Sequence, residues 1–219
     1  MQRALFVVVL ALAATAAAPA HAERIASLKA TAAVFRAASL HATTEGILSA
    51  RTPISNQRTA VPVLAQRRGW LRVLLPGRPN GHTGWIRARE ASLWSTPWRV
   101  VIRTDSKRLF VLRWGRIVRS FPVVVGSSST PTPRGHFFVE EALLLPSRSL
   151  GAPVAYALSA RSRVYQQFDG GPGQIAIHGI YGIGGTPGHA ESHGCIRMTT
   201  ASLDWMIHRL GTGTPVDIR

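Results

Sequence analysis

The residues of this chain that could do chemistry gather in one short stretch, residues 178–198. The stretch contains three of the eight histidines and the single cysteine, Cys195. A thiol with an ordinary pKa of about 8.5 is mostly protonated at neutral pH, so a reactive cysteine needs a neighbouring imidazole or cationic group. His178 and His193 can supply that imidazole, and the many glycines around them let a backbone approach a substrate or an oxyanion closely. We therefore predict an active site with a thiol nucleophile.

The elements that must position these residues are a strand before them and a helix after them. A predicted strand over residues 174–177 ends at His178 and opens into a glycine-rich loop, a common place for functional residues on a rigid scaffold. After Cys195 the apolar residues recur with helical spacing. This predicts one short helix, with Thr200 as its N-cap and Gly211 as its stop.

The rest of the chain is rich in predicted β-strands. Residues 28–95 contain short apolar runs separated by Pro-Gly and Asn-Gly turns, which are typical of a small all-β unit. From residue 98 a second β pattern begins, and its predicted strands are a hairpin over 109–125, a strand at 136–139 and a closing strand at 214–218. The predicted fold class is therefore mainly β, with one short helix.

The first 22 residues are typical of a cleaved secretory signal. Arg3 is followed by an apolar run over residues 4–18 and by an Ala-His-Ala site at residues 20–22. The run is shorter than the about 20 apolar residues that a membrane span needs. We therefore expect no membrane span and an exported protein, located in the periplasm or cell wall of a bacterium. We divide the chain into a signal peptide (1–22), a β module (23–95) and a second domain (96–219).

The charge balance indicates an anionic partner. The chain has 26 Lys and Arg against 10 Asp and Glu, a formal net charge of +16. Because the basic residues are scattered and form no nucleic-acid-binding motif, we expect no nucleic acid and favour anionic polymers of the bacterial envelope. A single cysteine excludes an internal disulfide, so in an oxidising compartment Cys195 is either buried and inert or retained for its reactivity. We expect a monomer without a cofactor.

Two interpretations of other classes stay open at this point. His178, His189, His193 and Cys195 are four zinc-competent side chains within eighteen residues, although their spacing matches no familiar zinc pattern. Alternatively, the chain is a non-catalytic wall-binding module in which Cys195 is a buried structural thiol. Metal analysis tests the first interpretation, and replacement of Cys195 by alanine tests the second.

Two parts of the sequence resemble known families. Four segments between Arg99 and Arg219 resemble, in order, the L,D-transpeptidase catalytic domain of the YkuD type: Arg108-Leu109-Phe110-Val111 with Phe121-Pro122-Val123, Thr130-Pro131-Thr132-Pro133 with Gly135, Ile177-His178-Gly179 with Ser192-His193-Gly194-Cys195-Ile196-Arg197-Met198, and Gly213-Thr214-Pro215-Val216. The loop at residues 183–187 departs from the family's usual Pro-x-Ser-Ile-Gly, which affects loop geometry.

In the N-terminal half of the chain, Gly69-Trp70 and Gly84-Trp85 resemble the last strands of a bacterial SH3-like domain, a wall-associated module. The alternative is that both tryptophans are ordinary core residues.

The transpeptidase resemblance implies an acyltransferase that acts on peptidoglycan stem peptides. Such enzymes hold the third stem residue as a cysteine thioester and pass it to an amine of a second stem. Water as the acceptor would give an L,D-carboxypeptidase, and a protein amine would give attachment of a protein to the wall. The resemblance implies the following roles: Cys195 as nucleophile, His178 as general base oriented by a backbone carbonyl near Gly179 or Ile180, His193, Gly194 and Cys195 as oxyanion-hole residues, and Arg197, Ser192, Gly179 and Tyr156 as substrate-binding residues.

Three of these substrate-binding assignments have a structural alternative. Arg197 could hold a substrate carboxylate or brace its own loop. Ser192 could bond a catalytic histidine or cap the turn before Cys195. Tyr156 could line the donor groove, but the sequence favours a place in the core.

Overall fold

The computed structural model describes residues 22–168 and 170–219, and β-strands dominate it. The predicted signal peptide lies outside the described residues except for Ala22. Among the described residues, no helix is long and apolar enough to cross a membrane.

The prediction of a mainly β fold with one short helix is confirmed. In chain order the elements are β1 Glu23–Leu28, β2 Ala32–Phe35, β3 Thr44–Leu48, β4 Ala60–Arg67, β5 Trp70–Leu74, β6 Thr83–Arg87, a single 3-10 turn Ala88–Glu90, β7 Ala91–Thr96, β8 Trp98–Arg103, β9 Arg108–Arg113, β10 Arg116–Pro122, β11 Val125–Gly126, β12 Gly135–Leu144, β13 Val154–Arg161, β14 Gln174–Gly179, β15 Ala190–Ser192, β16 Ile196–Met198, α1 Thr200–Ile207 and β17 Pro215–Ile218.

The first seven strands form one sheet, in the order β3-β2-β6-β5-β4-β1-β7. Its central neighbours β5 and β6 are the two Gly-Trp strands. Leu71 and Ile86, which follow the tryptophans, are fully buried in the core of this sheet. Because side chains alternate along a strand, Trp70 and Trp85 lie on the opposite face, partly buried, each with an arginine over its ring. The two tryptophans are therefore not core residues.

Eight later strands form a second sheet, in the order β10-β9-β8-β17-β12-β13-β14-β16. The closing strand β17 lies between β8 and β12, parallel to the first and antiparallel to the second. Strand β16 pairs in parallel with β14 at the edge of the sheet. The predicted hairpin is present as β9 and β10, but β10 ends at Pro122, and β11 instead forms a small parallel pair with β15.

The single helix differs from its prediction by one residue at the start. Its N-cap is Thr199 instead of Thr200, because the Thr199 side chain accepts a hydrogen bond from the backbone N–H of Ser202. The helix ends at Ile207, earlier than the predicted stop at Gly211. Leu203 and Met206 are fully buried and pack against the core of the second sheet.

Strand β12 joins the two sheets, because its two faces belong to different cores. Phe137 packs in the core of the second sheet, whereas Phe138 packs in the core of the first. Further along β12, the buried carboxylate of Glu141 accepts hydrogen bonds of 3.0 and 2.7 Å from the backbone N–H groups of Ile54 and Ser55. The two sheets therefore contact each other directly through side chains of this one strand.

Candidate active site

Two neighbouring parallel strands, β14 and β16, place His178 and Cys195 on one face of the second sheet. Ile177 lies opposite Ile196, and both are fully buried in the core. His178 lies opposite Arg197 one position further on, so these two side chains lie on the other face. Cys195 comes two residues before Arg197, and the period of two places it on that face as well. The register of one strand pair therefore accounts for the pairing of imidazole and guanidinium, and the charge of Arg197 acts on both His178 and Cys195.

The backbone of the next residue orients the ring of His178. Its Nδ1 atom lies 2.9 Å from the carbonyl oxygen of Gly179, so Nδ1 carries the proton and Nε2 keeps a free lone pair. Within the described part of the chain, no carboxylate contacts this ring. Burial lowers the pKa of His178, the Gly179 carbonyl raises it, and the charge of Arg197 lowers it again, with a net decrease. The imidazole is thus neutral at neutral pH and can accept a proton.

Cys195 is partly exposed and borders a small cavity. Burial raises the pKa of its thiol, and a backbone hydrogen bond from Ala176 and the charge of Arg197 only partly offset that increase. The resting thiol is thus neutral, so its deprotonation has to accompany attack on a substrate. The cavity has a volume of about 20 Å³ and is lined by Ser162, Tyr165, Phe168, Gly173, Gln174, Ile175, His193 and Cys195.

Hydrogen bonds of Ser192 fix the turn that carries the thiol. Its Oγ donates to the carbonyl oxygen of Cys195 at 2.6 Å and accepts from the N–H of Gly194 at 3.1 Å. Ser192 is 1% exposed, so its side chain faces the turn and not the substrate surface. Of the two alternatives from sequence, the hydrogen bonds fit turn capping, and a substrate-binding role of Ser192 stays a prediction.

The same turn changes the predicted set of oxyanion-hole donors. The N–H of Gly194 already donates to Ser192, so it is not free to bind an oxyanion. In the described residues, the N–H groups of His193 and Cys195 have no hydrogen-bond acceptor. Gly194 itself has φ +118°, and a Cβ there would lie 3.0 Å from Ile175. Glycine at 194 therefore shapes the turn, while the residues on either side present the free donors.

Two threonines of the loop after β11 hold this turn from its other side, and sequence reasoning missed their roles. Thr130 Oγ1 donates to the carbonyl oxygen of Ser192 at 3.0 Å, and Thr132 Oγ1 donates to that of Gly194 at 2.8 Å. Both threonines are buried. The available signal was the proline after each threonine, because a residue before proline is restricted to extended conformations. Such a segment can hold two hydroxyls at fixed spacing.

Two other predicted substrate-binding residues, Gly179 and Tyr156, are buried. The N–H of Gly179 donates to the carbonyl oxygen of Gly151 at 2.7 Å, and a Cβ on Gly179 would clash with the carbonyl oxygen of Ala152. Tyr156 is 1% exposed and belongs to the core of the second sheet, where burial raises the pKa of its phenol. Neither residue is exposed at the surface, and their substrate-binding roles stay predictions. Gly179 instead orients His178, and Tyr156 fills the core.

Arg197 has free hydrogen-bonding capacity beside the thiol. Its Nη1 lies 3.4 Å from the carbonyl oxygen of Gly184, a long contact that gives only weak bracing. Its Nε is buried and has no partner among the residues that the structure describes. The backbone of Arg197 is fixed by two hydrogen bonds with Val124, of 2.9 and 3.1 Å. A guanidinium held in this way can bind a carboxylate through two N–H groups.

The four zinc-competent residues of this region are not brought together. In the parts of the chain covering 22–168 and 170–219, no group of three or more His, Cys, Asp and Glu side chains is arranged to hold a metal ion. His189 contacts the carbonyl oxygen of Thr186 within its own loop. The ring of His193 instead packs against Tyr165 and Phe168, at centroid distances of 6.0 and 5.9 Å.

Comparisons with known proteins find relatives among L,D-transpeptidases. L,D-transpeptidase 1 of Mycobacterium tuberculosis is 28% identical over 116 residues, which cover 49% of this chain and 45% of that protein, so the chain spans about half the length of this relative. A putative L,D-transpeptidase YkuD of Bacillus licheniformis is 26% identical over 167 residues, 73% of this chain and 93% of that protein. Among solved structures, an L,D-transpeptidase from Mycobacterium smegmatis aligns with a TM-score of 0.42 and 19% identity, covering 68% of this chain and 89% of that one. The family model of the L,D-transpeptidase catalytic domain, YkuD, matches residues 97–218. The chain therefore belongs to the YkuD family of L,D-transpeptidase catalytic domains.

Proposed function

We propose that this chain is a peptidoglycan L,D-transpeptidase that joins the third residues of two stem peptides through a thioester on Cys195. Family membership supports the class of reaction. The observation that carries the assignment of residues is the His178 ring, whose Nδ1 is bound to Gly179 so that Nε2 is free on the face shared with Cys195. That is the arrangement a general base needs beside a thiol nucleophile.

In the acylation step, Nε2 of His178 takes the proton of the Cys195 thiol while the sulfur attacks the carbonyl carbon of the third stem residue. The carbonyl oxygen becomes an oxyanion, and the free N–H groups of His193 and Cys195 stabilise it in this proposal. Loss of one such donor typically costs about 3 kcal/mol. The tetrahedral intermediate collapses with cleavage of the amide bond. His178 returns its proton to the nitrogen of the departing fourth residue, D-alanine.

In the transfer step, an amine of a second stem attacks the thioester carbonyl and loses a proton to His178. The carbon–sulfur bond breaks, and the proton returns to the thiolate, which restores the resting enzyme. Water in place of the amine would make the chain an L,D-carboxypeptidase, and a protein amine would attach a protein to the wall. Arg197 binds a carboxylate of the stem in this proposal, because its buried Nε lacks a protein partner.

The N-terminal part of the chain determines location and partners in this proposal. Residues 1–22 act as a secretory signal, residues 23–95 as an SH3-like β module and residues 96–219 as the catalytic domain, in the periplasm or cell wall. The outer face of the first sheet supports contact with anionic envelope polymers, because Arg67 and Arg87 lie over the rings of Trp85 and Trp70 at 5.6 and 5.5 Å. Aromatic rings interleaved with guanidinium groups suit ligands that combine apolar faces with negative charge.

Mass spectrometry of the products tests the proposed reaction. Disaccharide tetrapeptides incubated with the protein should yield dimers joined between third residues and free D-alanine, and Cys195→Ala should yield neither. Release of D-alanine with tripeptides alone would assign the carboxypeptidase reaction instead. A Cys195→Ala variant that retained wild-type cross-linking in cells would show that the protein is a non-catalytic wall-binding module.

A further inference from the structure

The loop between β5 and β6 reaches from the first sheet to the edge of the candidate active site. The N–H of Gly77 in this loop donates to the carbonyl oxygen of Ser159 at 3.2 Å. Asn80 makes a reciprocal pair with the backbone of Arg161, at 2.8 Å in each direction. The loop is thus seated on the end of β13, directly before the segment at residues 162–168, which we call the cover segment.

Arg78, between these two contacts, binds the backbone around the cover segment with both terminal nitrogens of its guanidinium group. Nη2 donates to the carbonyl oxygens of Ser162 and Tyr165 at 2.9 and 3.0 Å, and Nη1 donates to that of Pro172 at 2.9 Å. Packing here is close, since a Cβ on Gly173 would meet the Tyr165 carbonyl and lie 3.4 Å from Nη2 of Arg78. One side chain of the first sheet therefore fixes both ends of the loop that leaves β13 and returns to β14.

The cover segment in turn forms one wall of the cavity at Cys195. The rings of Tyr165 and Phe168 pack on the ring of His193, two residues before the thiol. Both aromatic residues line the same cavity as Cys195. A donor stem that reaches the sulfur through this cavity therefore contacts the surface that Arg78 holds in place.

We propose that Arg78 is a positioning residue of the active site: from the first sheet, it sets the position of the cover segment over Cys195 and thereby the binding of the donor stem. The part concerning the donor stem rests on the proposed function, whereas the part concerning access to the thiol does not. This positioning role requires arginine, because the planar guanidinium presents several N–H groups in a fixed fork. A lysine ammonium cannot reach three carbonyl oxygens in that geometry.

Alkylation of the only cysteine by iodoacetamide, followed by intact mass, measures access to the thiol without any substrate. Arg78→Met should raise the alkylation rate about threefold, because the cover segment loses its anchor and opens more often. With a donor stem, the same variant should raise KM about fivefold and change kcat little, because the thiol and imidazole stay in place. Arg78→Lys should fall between wild type and Arg78→Met.

Three further variants make the test specific. Arg163→Met removes an exposed arginine of the cover segment for which no side-chain hydrogen bond is found in the described residues, and it should behave as wild type. Asn80→Ala weakens the seating of the loop without touching the cover segment, so it should lower the melting temperature and leave alkylation unchanged. Phe168→Leu removes a ring from His193 and should raise alkylation even if Arg78→Met folds poorly.

The proposal is wrong if folded Arg78→Met and Phe168→Leu are alkylated at the wild-type rate. It is also wrong if Asn80→Ala reproduces the effects of Arg78→Met, since general loss of contact between the sheets would then explain them. A wild-type protein that forms no product from any donor stem would overturn the proposed function, and the alkylation rates would still decide the role of Arg78.

Discussion

The hydroxyl of Thr132 donates a 2.8 Å hydrogen bond to the carbonyl oxygen of Gly194, the residue directly before the candidate nucleophile. The hydroxyl oxygen of Thr132 in turn accepts a 2.9 Å hydrogen bond from the N–H of Gly126. One buried hydroxyl therefore connects the end of β11, the Thr-Pro-Thr-Pro segment and the turn of Cys195. The position of the Cys195 sulfur therefore depends on Thr132, which lies 63 positions earlier in the sequence.

Thr132→Val keeps the shape of this side chain but removes both hydrogen bonds. Each buried partner left unsatisfied costs about 1–3 kcal/mol, so we expect a loss of about 2 kcal/mol in the free energy of unfolding. Acylation should slow by about tenfold, because the turn loses a fixed point. Thr132→Ser, which retains the hydroxyl, is the control. Urea denaturation and single-turnover acylation measure the two effects, and equal behaviour of the valine and serine variants would contradict the role of the hydroxyl.

A carbapenem should acylate Cys195, because its strained lactam carbonyl reacts with an activated thiol. Intact mass should increase by the mass of one drug molecule, and peptide mapping should place it on Cys195. Cys195→Ala should show no increase. His178→Gln should form the adduct about 100-fold more slowly, which is the size of a typical general-base contribution. An adduct on any other residue would contradict the assigned nucleophile.

The pH dependence of kcat/KM should report the lowered pKa of His178. The base works as the neutral imidazole, so activity should fall as the pH drops through a midpoint below the ordinary histidine value of about 6.5. The charge of Arg197 contributes to that lowering, so Arg197→Gln should move the acid limb to higher pH. Arg163→Gln, on an exposed position, should leave the limb in place. A profile in which Arg197→Gln moves the limb to lower pH would contradict the assignment.

Gly179→Ala should inactivate the protein more than it unfolds it. The added methyl group would clash with the backbone carbonyl of Ala152, so Gly179 must move, and its carbonyl holds Nδ1 of His178. We expect kcat to fall by about 100-fold, as is common when a catalytic group is misplaced. Gly211→Ala is the matched control, because a Cβ there meets nothing within 4 Å and should leave kcat unchanged. Steady-state kinetics with circular dichroism separates the two effects.

Glu141→Gln should destabilise the contact between the sheets in a pH-dependent manner. Burial raises the pKa of Glu141, but hydrogen bonds from Ser55 and Ile54 outweigh it and lower the pKa overall. A lowered folded-state pKa gives stability that is present above the unfolded value and lost as the pH falls through the folded one. We expect the free energy of unfolding to fall by about 2 kcal/mol at pH 7, and this loss should shrink below about pH 4.5.

Glu45→Gln, at an exposed ion pair with Arg36, is the control and should lower the free energy of unfolding by at most about 1 kcal/mol. Thermal unfolding across pH measures both, and a constant loss from pH 7 to 3 would contradict the prediction.

Patterns with a clear period were predictable from the sequence. Alternation and turn residues indicated β5, β6, β9 and β10, and a helical period indicated α1. Strand β13 was missed because nearly all of its residues are buried, so it lacks the alternation that marks a half-exposed strand. The sequence favoured the core for Tyr156, on that strand, and its side chain lies in the core of the second sheet.

Motif spacing found the residues of the candidate site but not their hydrogen-bond partners. The sequence indicated Cys195 and His178, and these roles stay predictions. It could not show that Ser192 already occupies the N–H of Gly194, because that depends on the conformation of a four-residue turn. Nor could it show that Arg78, more than eighty residues before the cover segment, lies against it. Contacts between distant segments follow from the packing of whole sheets, for which a single sequence carries no local signal.

The assignment of Phe137 and Phe138 to separate cores limits how this chain can evolve by insertion or by exchange of parts. A one-residue insertion in β12 ahead of this pair would turn each ring toward the wrong sheet. Removal of the first sheet would leave Phe138 exposed to water, with a large apolar surface prone to self-association. The first and second sheets are therefore best kept together. An N-terminal unit from another protein, joined to the second sheet, would need a cavity that fits Phe138.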